Sequence, residues 1–192
     1  MWSSLSNPGS FPTIFAGTNN NSSVPGICIR WQWVATGGFD QSITPVLSGM
    51  EIEESYYTCL DVASKYYRVI PKGILIHRAD RELLLTNHYK IYGSSLGLPF
   101  LIGLISYINK IPWPSRTVSW GDIRPIRNNS FALYPVDNLS DKILVLRKLQ
   151  AKHLIHPESE ELNLDEITVT GISFEIEKAV IELNHEILVE GG

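Results

Sequence analysis

The sequence predicts a single α+β domain, and three observations carry that prediction. The chain has 192 residues, enough for one well-buried core and too few for two ordinary domains with a linker. Hydrophobic residues make up 44% of it and charged residues only 19%, below the roughly 25% of an average soluble chain, which marks a folded chain rather than a disordered one. Strand-like alternation and helix-like periodicity follow one another along it, with no internal repeat.

Residues 1–26 are rich in Ser, Asn, Pro and Gly, a loop-like composition in which Phe11, Ile14 and Phe15 are the points that pin it down. The domain proper then spans residues 27–192. Alternation and the aromatics Trp31 and Trp33 predict a strand from Ile27 to Thr36, closed by Gly37-Gly38, with a second strand near Ser42 to Leu47. Ile52, Tyr56, Cys59, Leu60, Ala63 and Tyr67 recur at helical spacing and predict an amphipathic helix. Val69 to Ile76 and Glu82 to Thr86 read as strands. Ser95 to Lys110 is apolar on every side and predicts a buried helix, with Pro99 restricting where it begins. Ser115 to Ile126 and Phe131 to Val136 read as strands joined by a turn at Arg127 to Ser130. Asp137-Asn138 offers a cap for a helix from Leu139 to about Gln150, because both side chains accept hydrogen bonds from first-turn amides. His153 to His156 is a short strand stopped by Pro157. A last helix carries Ile172, Ile176, Ala179, Val180, Leu183 and Ile187 on one face, which makes about four helices in all.

Several function classes are disfavoured. Sixteen basic and twenty acidic side chains leave a net charge of -4, and nowhere do Lys and Arg cluster densely enough to follow a phosphate backbone, so nucleic acid is not the expected partner. The apolar stretch from Leu96 to Ile108 is broken by Gly97, Pro99, Gly103 and Ser106 and falls short of the roughly 20 residues that cross a bilayer. Cys28 and Cys59 are too few for a disulfide framework, and the first residues lack the basic start and apolar core of a signal peptide. The expected setting is therefore the cytoplasm. His77, His88, His153, His156 and His185 form no HExxH pattern, and His153 and His156 would face opposite sides of a strand, so no metal is expected. No cofactor is expected either.

One residue breaks the helical pattern. At about 100° per residue, Leu139, Ile143, Val145, Leu146 and Leu149 share an arc of roughly 160°, and Lys142 falls inside it. Burial and a place near the helix N-terminus both favour the neutral amine, which is a general base. The alternative is an aliphatic stem lying on apolar surface with its ammonium in water. A base needs a nucleophile, and Gly93-Ser94-Ser95-Leu96-Gly97 supplies the best candidate, a turn that would expose a hydroxyl beside unpaired backbone N–H groups. The plainer reading of that turn is a serine cap on the following helix.

Together the two segments resemble the proteolytic domain of the Lon protease family, with its Asp-Gly-Pro-Ser-Ala-Gly nucleophile turn and its Gly-Gly-x-x-x-Lys base. Tyr92-Gly93-Ser94-Ser95-Leu96-Gly97 resembles the first motif and implies Ser95 as nucleophile, with Gly93 and Ser94 at the oxyanion loop. Asp137-Asn138-Leu139-Ser140-Asp141-Lys142 resembles the second and implies Lys142 as base. Between them, Trp120-Gly121-Asp122-Ile123 is similar to the family's Thr-Gly-Glu-Ile, which gives Trp120, Gly121 and Asp122 supporting positions. Trp120 stands where the family usually places a threonine that bonds the lysine, and Ser119 or Ser94 is the hydroxyl available in its stead. The resemblance runs over roughly residues 29–185.

The resemblance implies a Ser-Lys endopeptidase acting on a protein or peptide substrate. No GxxxxGK[ST] phosphate loop is present, so the reading is ATP-independent, with targeting or activation from a partner protein and the oligomeric state left open. Two rivals belong to other classes. One is a Lon-like domain that has lost catalysis and binds proteins, favoured by the residues at Trp120 and Tyr92. The other is a GHMP-type small-molecule kinase, whose phosphate loop resembles Gly93-Ser94-Ser95.

Overall fold

A computed structural model describes residues 2–19, 22–38, 50–87 and 95–190. Among them lie five α-helices and eight strands in three small sheets, an α+β arrangement. The strand expected near Ser42 to Leu47 lies outside the described residues.

The first sheet is antiparallel, in the order β1 (Ser10–Asn19), β2 (Ser22–Val34), β3 (Gly73–Ile76). β1 corrects the loop-like reading of residues 1–26. Composition misleads there because Phe11, Ile14 and Phe15 are all buried, and that burial outweighs the turn residues between them. Pro12 is tolerated because, among the described residues, β1 has a ladder partner on one side only, and a bulge between Phe15 and Gly17 takes up the local irregularity. Trp31 and Trp33 on β2 are fully buried, and each indole finds a partner: Nε1 of Trp31 donates to Thr13 Oγ1 at 2.7 Å and that of Trp33 to the Phe100 carbonyl at 3.0 Å.

Helix α1 (Met50–Tyr66) buries Ile52, Tyr56, Cys59 and Ala63, as its periodicity predicts. Helix α2 (Arg78–Asn87) replaces the strand expected at Glu82 to Thr86. Three consecutive leucines mimic a strand, but only Leu84 is sealed, while Leu83 and Leu85 are 40% and 44% exposed. The helix-forming Arg-Ala-Asp-Arg-Glu run decides the local structure, and the Asp80 carboxylate ties it to Arg30 of β2.

Helix α3 (Gly97–Asn109) is buried from Gly97 to Ser106, and Pro99 sits in its first turn, where no intrahelical N–H is needed. Its two glycines permit close approach. A Cβ at Gly97 would lie 2.5 Å from the Ile123 nitrogen, and one at Gly103 2.0 Å from the Phe11 ring.

The predicted strand from Ser115 to Ile126 is two strands, β4 (Thr117–Ser119) and β5 (Asp122–Pro125), broken at Trp120-Gly121. β5 pairs with β6 (Phe131–Tyr134) across a turn whose Asn128 has φ 63°, a left-handed geometry asparagine accepts. Helix α4 (Leu139–Lys148) follows. Asn138 occupies its cap position but makes no capping bond, because its φ of 55° departs from the extended geometry that aims a cap side chain at first-turn amides. β7 (His153–Pro157) and β8 (Thr168–Ile172) complete a parallel sheet in the order β4-β7-β8. Ile172 ends β8, and the last helix, α5, runs over Ile176–Glu190.

The core has two parts. Phe11, Trp31, Trp33 and the buried faces of α1, α3 and α5 form the larger, and Ile14, Val118, Trp120, Val145, Leu146, Ala151 and Leu154 the smaller. β1 contributes to both.

Candidate active site

The C-terminal ends of parallel strands are where α/β architectures gather functional groups, since loops and helix starts converge there. Trp120 leaves β4 at that end, with its N–H bonded to the Ile155 carbonyl at 3.2 Å. Glu160 lies in the turn that follows β7. Helix α4 faces the smaller core with Val145 and Leu146, and Lys142 lies buried beside them with 5% of its surface exposed. The helical arc that singles out Lys142 thus corresponds to real burial.

Burial pushes the Lys142 amine down from its ordinary 10.5 to about 8, against the opposing pull of the Glu160 and Asp137 carboxylates. The Glu160 side chain is largely buried, 6% exposed, at the edge of a surface hollow. Oε1 accepts the Val136 N–H at 2.7 Å and Oε2 accepts Nε1 of Trp120 at 2.9 Å. Nδ1 of His156 stands 3.5 Å from Oε2, close enough for charge but too long for a strong hydrogen bond. Burial alone would raise the Glu160 carboxyl, yet His156, Trp120 and Val136 together hold it below its usual range. Glu160 is therefore a fixed negative charge, set by those nearer donors and felt by Lys142 through space.

Ser95 precedes α3, partly exposed. Its carbonyl accepts the Gly121 N–H at 3.3 Å, and the Leu98 N–H donates to the Gly121 carbonyl at 3.0 Å, so the start of α3 is stitched to the break between β4 and β5. This backbone link brings Ser95 next to Gly121, whose neighbour Trp120 reaches Glu160. No hydrogen bond joins Ser95 to Lys142 among the described residues. Gly93 and Ser94 lie outside the described residues.

The supporting residues divide. Ser119 pairs with Ile155, which belongs to the larger core, whereas Trp120 and Leu154 belong to the smaller. Alternation therefore turns the Ser119 hydroxyl away from α4. Ser119 Oγ is buried without a hydrogen-bond partner and does not replace the threonine expected at Lys142. The Asp122 carboxylate is occupied by Arg124, which also covers the Tyr134 ring at 5.2 Å. Gly121 is required sterically, since a Cβ there would meet Leu133 Cδ1 at 2.9 Å.

Glu160 itself lines a surface hollow of ≈ 570 Å³, together with His156, Glu158, Glu161 and Val169. A second hollow of ≈ 600 Å³, lined by Arg116, Arg147 and Lys152, lies at the opposite ends of the parallel strands and contains neither Ser95 nor Lys142. Among the described residues no group of three or more His, Cys, Asp or Glu is placed to hold a metal ion. No helix among them is long and apolar enough to cross a membrane.

Glu160 and His156 are the site residues that sequence reasoning passes over. In the sequence, Glu158-Ser159-Glu160-Glu161 reads as an ordinary solvated acidic run. Only the fold brings Trp120 and Val136, distant in the chain, onto the middle carboxylate. No protein-family model matches the chain, and no curated protein matches it. The fold and site define an α+β domain with a buried lysine on α4 and, in the turn after the parallel strand β7, a carboxylate held by Trp120 and Val136.

Proposed function

We propose that this chain is an ATP-independent, Lon-like serine peptidase in which Ser95 is the nucleophile and Lys142 the general base. The observation that carries the reading is the burial of Lys142 on the core face of α4, which brings its amine to about 8, within the range where a general base works near neutral pH. The stitching of Ser95 to Gly121, next to Trp120 and its bond to Glu160, adds support by tying the serine turn to the lysine's surroundings.

In the proposed reaction the Ser95 hydroxyl gives its proton to the neutral Lys142 amine as Oγ attacks the scissile carbonyl. The resulting ammonium protonates the leaving amine, and water then releases the acyl group from Ser95 with Lys142 again accepting a proton. Backbone N–H groups of the Gly93 to Ser95 turn would hold the oxyanion, each worth roughly 3 to 4 kcal/mol. Accessible segments of a substrate protein are the proposed targets, with unfolding or targeting supplied by a partner.

A second reading, a Lon-like protein-binding domain without catalysis, is favoured by one observation. Trp120 stands at the threonine position and spends its N–H on Glu160, and among the described residues no hydroxyl bonds Lys142 in its stead. The two readings separate in a cleavage assay on an unstructured protein with wild type, Ser95→Ala and Lys142→Ala. Loss of cleavage in both variants, with a wild-type rate that rises as pH passes through about 8, is expected for the peptidase. Cleavage that survives Ser95→Ala overturns the mechanism, and a wild type that binds but never cuts selects the binding domain.

A further inference from the structure

We infer that the outer edge of β8 is a docking site for an extended peptide segment bearing lysine or arginine, which adds to the β4-β7-β8 sheet as a further strand and sets its basic side chains in the glutamate-lined hollow. The inference is independent of the peptidase reading, since neither Ser95 nor Lys142 lines that hollow.

β8 has β7 on one side and, among the described residues, no strand on the other. Two bonds fix which of its groups face inward: the Thr168 N–H donates to the Lys152 carbonyl at 2.9 Å, and the Ile172 carbonyl accepts the Glu158 N–H at 2.8 Å. In a strand the N–H and C=O of one residue point to one edge and those of the next residue to the other. Thr168, Thr170 and Ile172 therefore face β7, while Val169 and Gly171 direct theirs outward. No hydrogen bond takes up those four outward groups among the described residues. Val169 and Gly171 are also the two β8 residues that line the hollow. Just beyond, the chain is already engaged: the Ser173 N–H donates to Glu182 Oε2, and the Phe174 carbonyl accepts the Leu133 N–H. The free backbone groups and the hollow thus coincide.

Charge selects the occupant. Glu158, Glu160 and Glu161 line the hollow and no Lys or Arg does, nor does any Lys or Arg form an ion pair with these three among the described residues. His156, the register partner of Gly171, lines it too; it is 3% exposed, and its buried Nδ1 has no hydrogen-bond partner. The floor beside the edge therefore holds polar capacity that the described chain leaves unused. Open edges are commonly blunted by lysine, proline or a bulge, and β8, Thr-Val-Thr-Gly-Ile, carries none of them. Its protection is electrostatic. A second copy meeting it edge to edge would bring three more glutamates against these three, whereas a basic segment brings the opposite charge. Main-chain bonds along β8 give such docking its hold, and the carboxylates give it selectivity.

The test uses the full chain and a fluorescein-labelled peptide, Thr-Val-Lys-Val-Arg-Val-Thr with blocked ends, whose two basic side chains share one face of an extended strand. Fluorescence anisotropy should show saturable binding that weakens by about tenfold or more when both basic residues are replaced by Glu. Methylating alternate backbone nitrogens of the peptide should abolish binding in one register and spare it in the other, because only every second N–H faces β8. Amide exchange at Val169 and Gly171 should slow by about tenfold when the peptide is added. Glu161→Lys, at an exposed position, should weaken binding by about tenfold with the melting temperature unchanged. Ser95→Ala should bind as wild type does, so that failure of the peptidase reading leaves this result intact. Absence of saturable binding, equal binding of the Glu peptide, or indifference to the methylation register overturns the inference. Protection of Val169 and Gly171 that grows with protein concentration, without peptide, assigns the edge to a second copy and overturns it as well.

Discussion

Replacing Lys142 with methionine should stabilise the protein, and the size of the gain should depend on pH. In the folded chain the amine is pushed from 10.5 down to about 8, chiefly by burial. Between those two values the unfolded chain keeps a proton that the folded chain has released, so stability rises with pH across that window. Below about 8 both states are protonated and the folded chain carries the full penalty of the buried ammonium. Each pH unit between the two values corresponds to about 1.4 kcal/mol, so at pH 7 the penalty is about 3 kcal/mol, falling to about 1 kcal/mol at pH 10. Methionine matches the stem in length and carries no charge. Urea unfolding of wild type and Lys142→Met at pH 7 and pH 10 should therefore show a stability difference that shrinks by about 2 kcal/mol on going to the higher pH. Titration of other lysines and tyrosines cancels between the two proteins, and the attraction of Glu160 for the ammonium is already contained in the folded value of about 8. A difference that is the same at both pH values would refute the buried, perturbed lysine and restore the reading in which the ammonium reaches open water.

Gly97→Ala should lower the melting temperature by about 4 to 8 °C, since its new Cβ would press on the backbone nitrogen of Ile123 and overpacking of this kind costs about 2 kcal/mol. An unchanged melting curve would show that the α3 to β5 contact is looser than described. Asp80→Asn should destabilise by about 3 kcal/mol in urea, because Asp80 holds the Arg30 guanidinium at 2.8 and 2.9 Å and its backbone N–H as well. Retention of wild-type stability would reduce that pair to an ornament of the β2 to α2 junction. Cys28 should resist alkylation in the native state at pH 8, because burial, aided by Asp80, pushes its thiol up to about 12 and leaves almost no thiolate. Rapid labelling without unfolding would contradict that placement.

What could be read in the sequence follows from how local each signal is. The faces of α1, α3 and α4 are legible because periodicity is a property of neighbours, and Lys142 stands out for the same reason, as a charge in an apolar arc. The leucines of α2 defeat this reasoning: Leu83 to Leu85 are apolar at every position, so neither period is visible and the preceding helix formers decide. β1 is illegible because its turn-rich composition conceals three residues whose burial is settled by distant partners. The same holds for Glu160, whose donors lie 40 and 24 residues away in the chain. Asn138 shows the reverse error, a residue type suited to a cap placed in a backbone geometry that prevents it. The fold class and the lysine are therefore visible beforehand, while the carboxylate anchored by Trp120 and Val136 becomes visible only once β4, β7 and α4 are assembled.

The seating of β1 between the two parts of the core bears on how the chain reaches this structure. Phe11 belongs to one part and Ile14 to the other, and further along the same segment Nε1 of Trp2 donates to the Leu149 carbonyl, 147 residues away. At about 5 to 20 residues per second, that separation means the first residues wait on the order of ten seconds during synthesis before their partner exists. The hairpin of β1 and β2 is local and can close early, but the face bearing Ile14 stays uncovered until α4 has been made. For that interval the nascent chain presents an unprotected apolar strand, and the ribosome-bound protein depends on α4 arriving before another chain does.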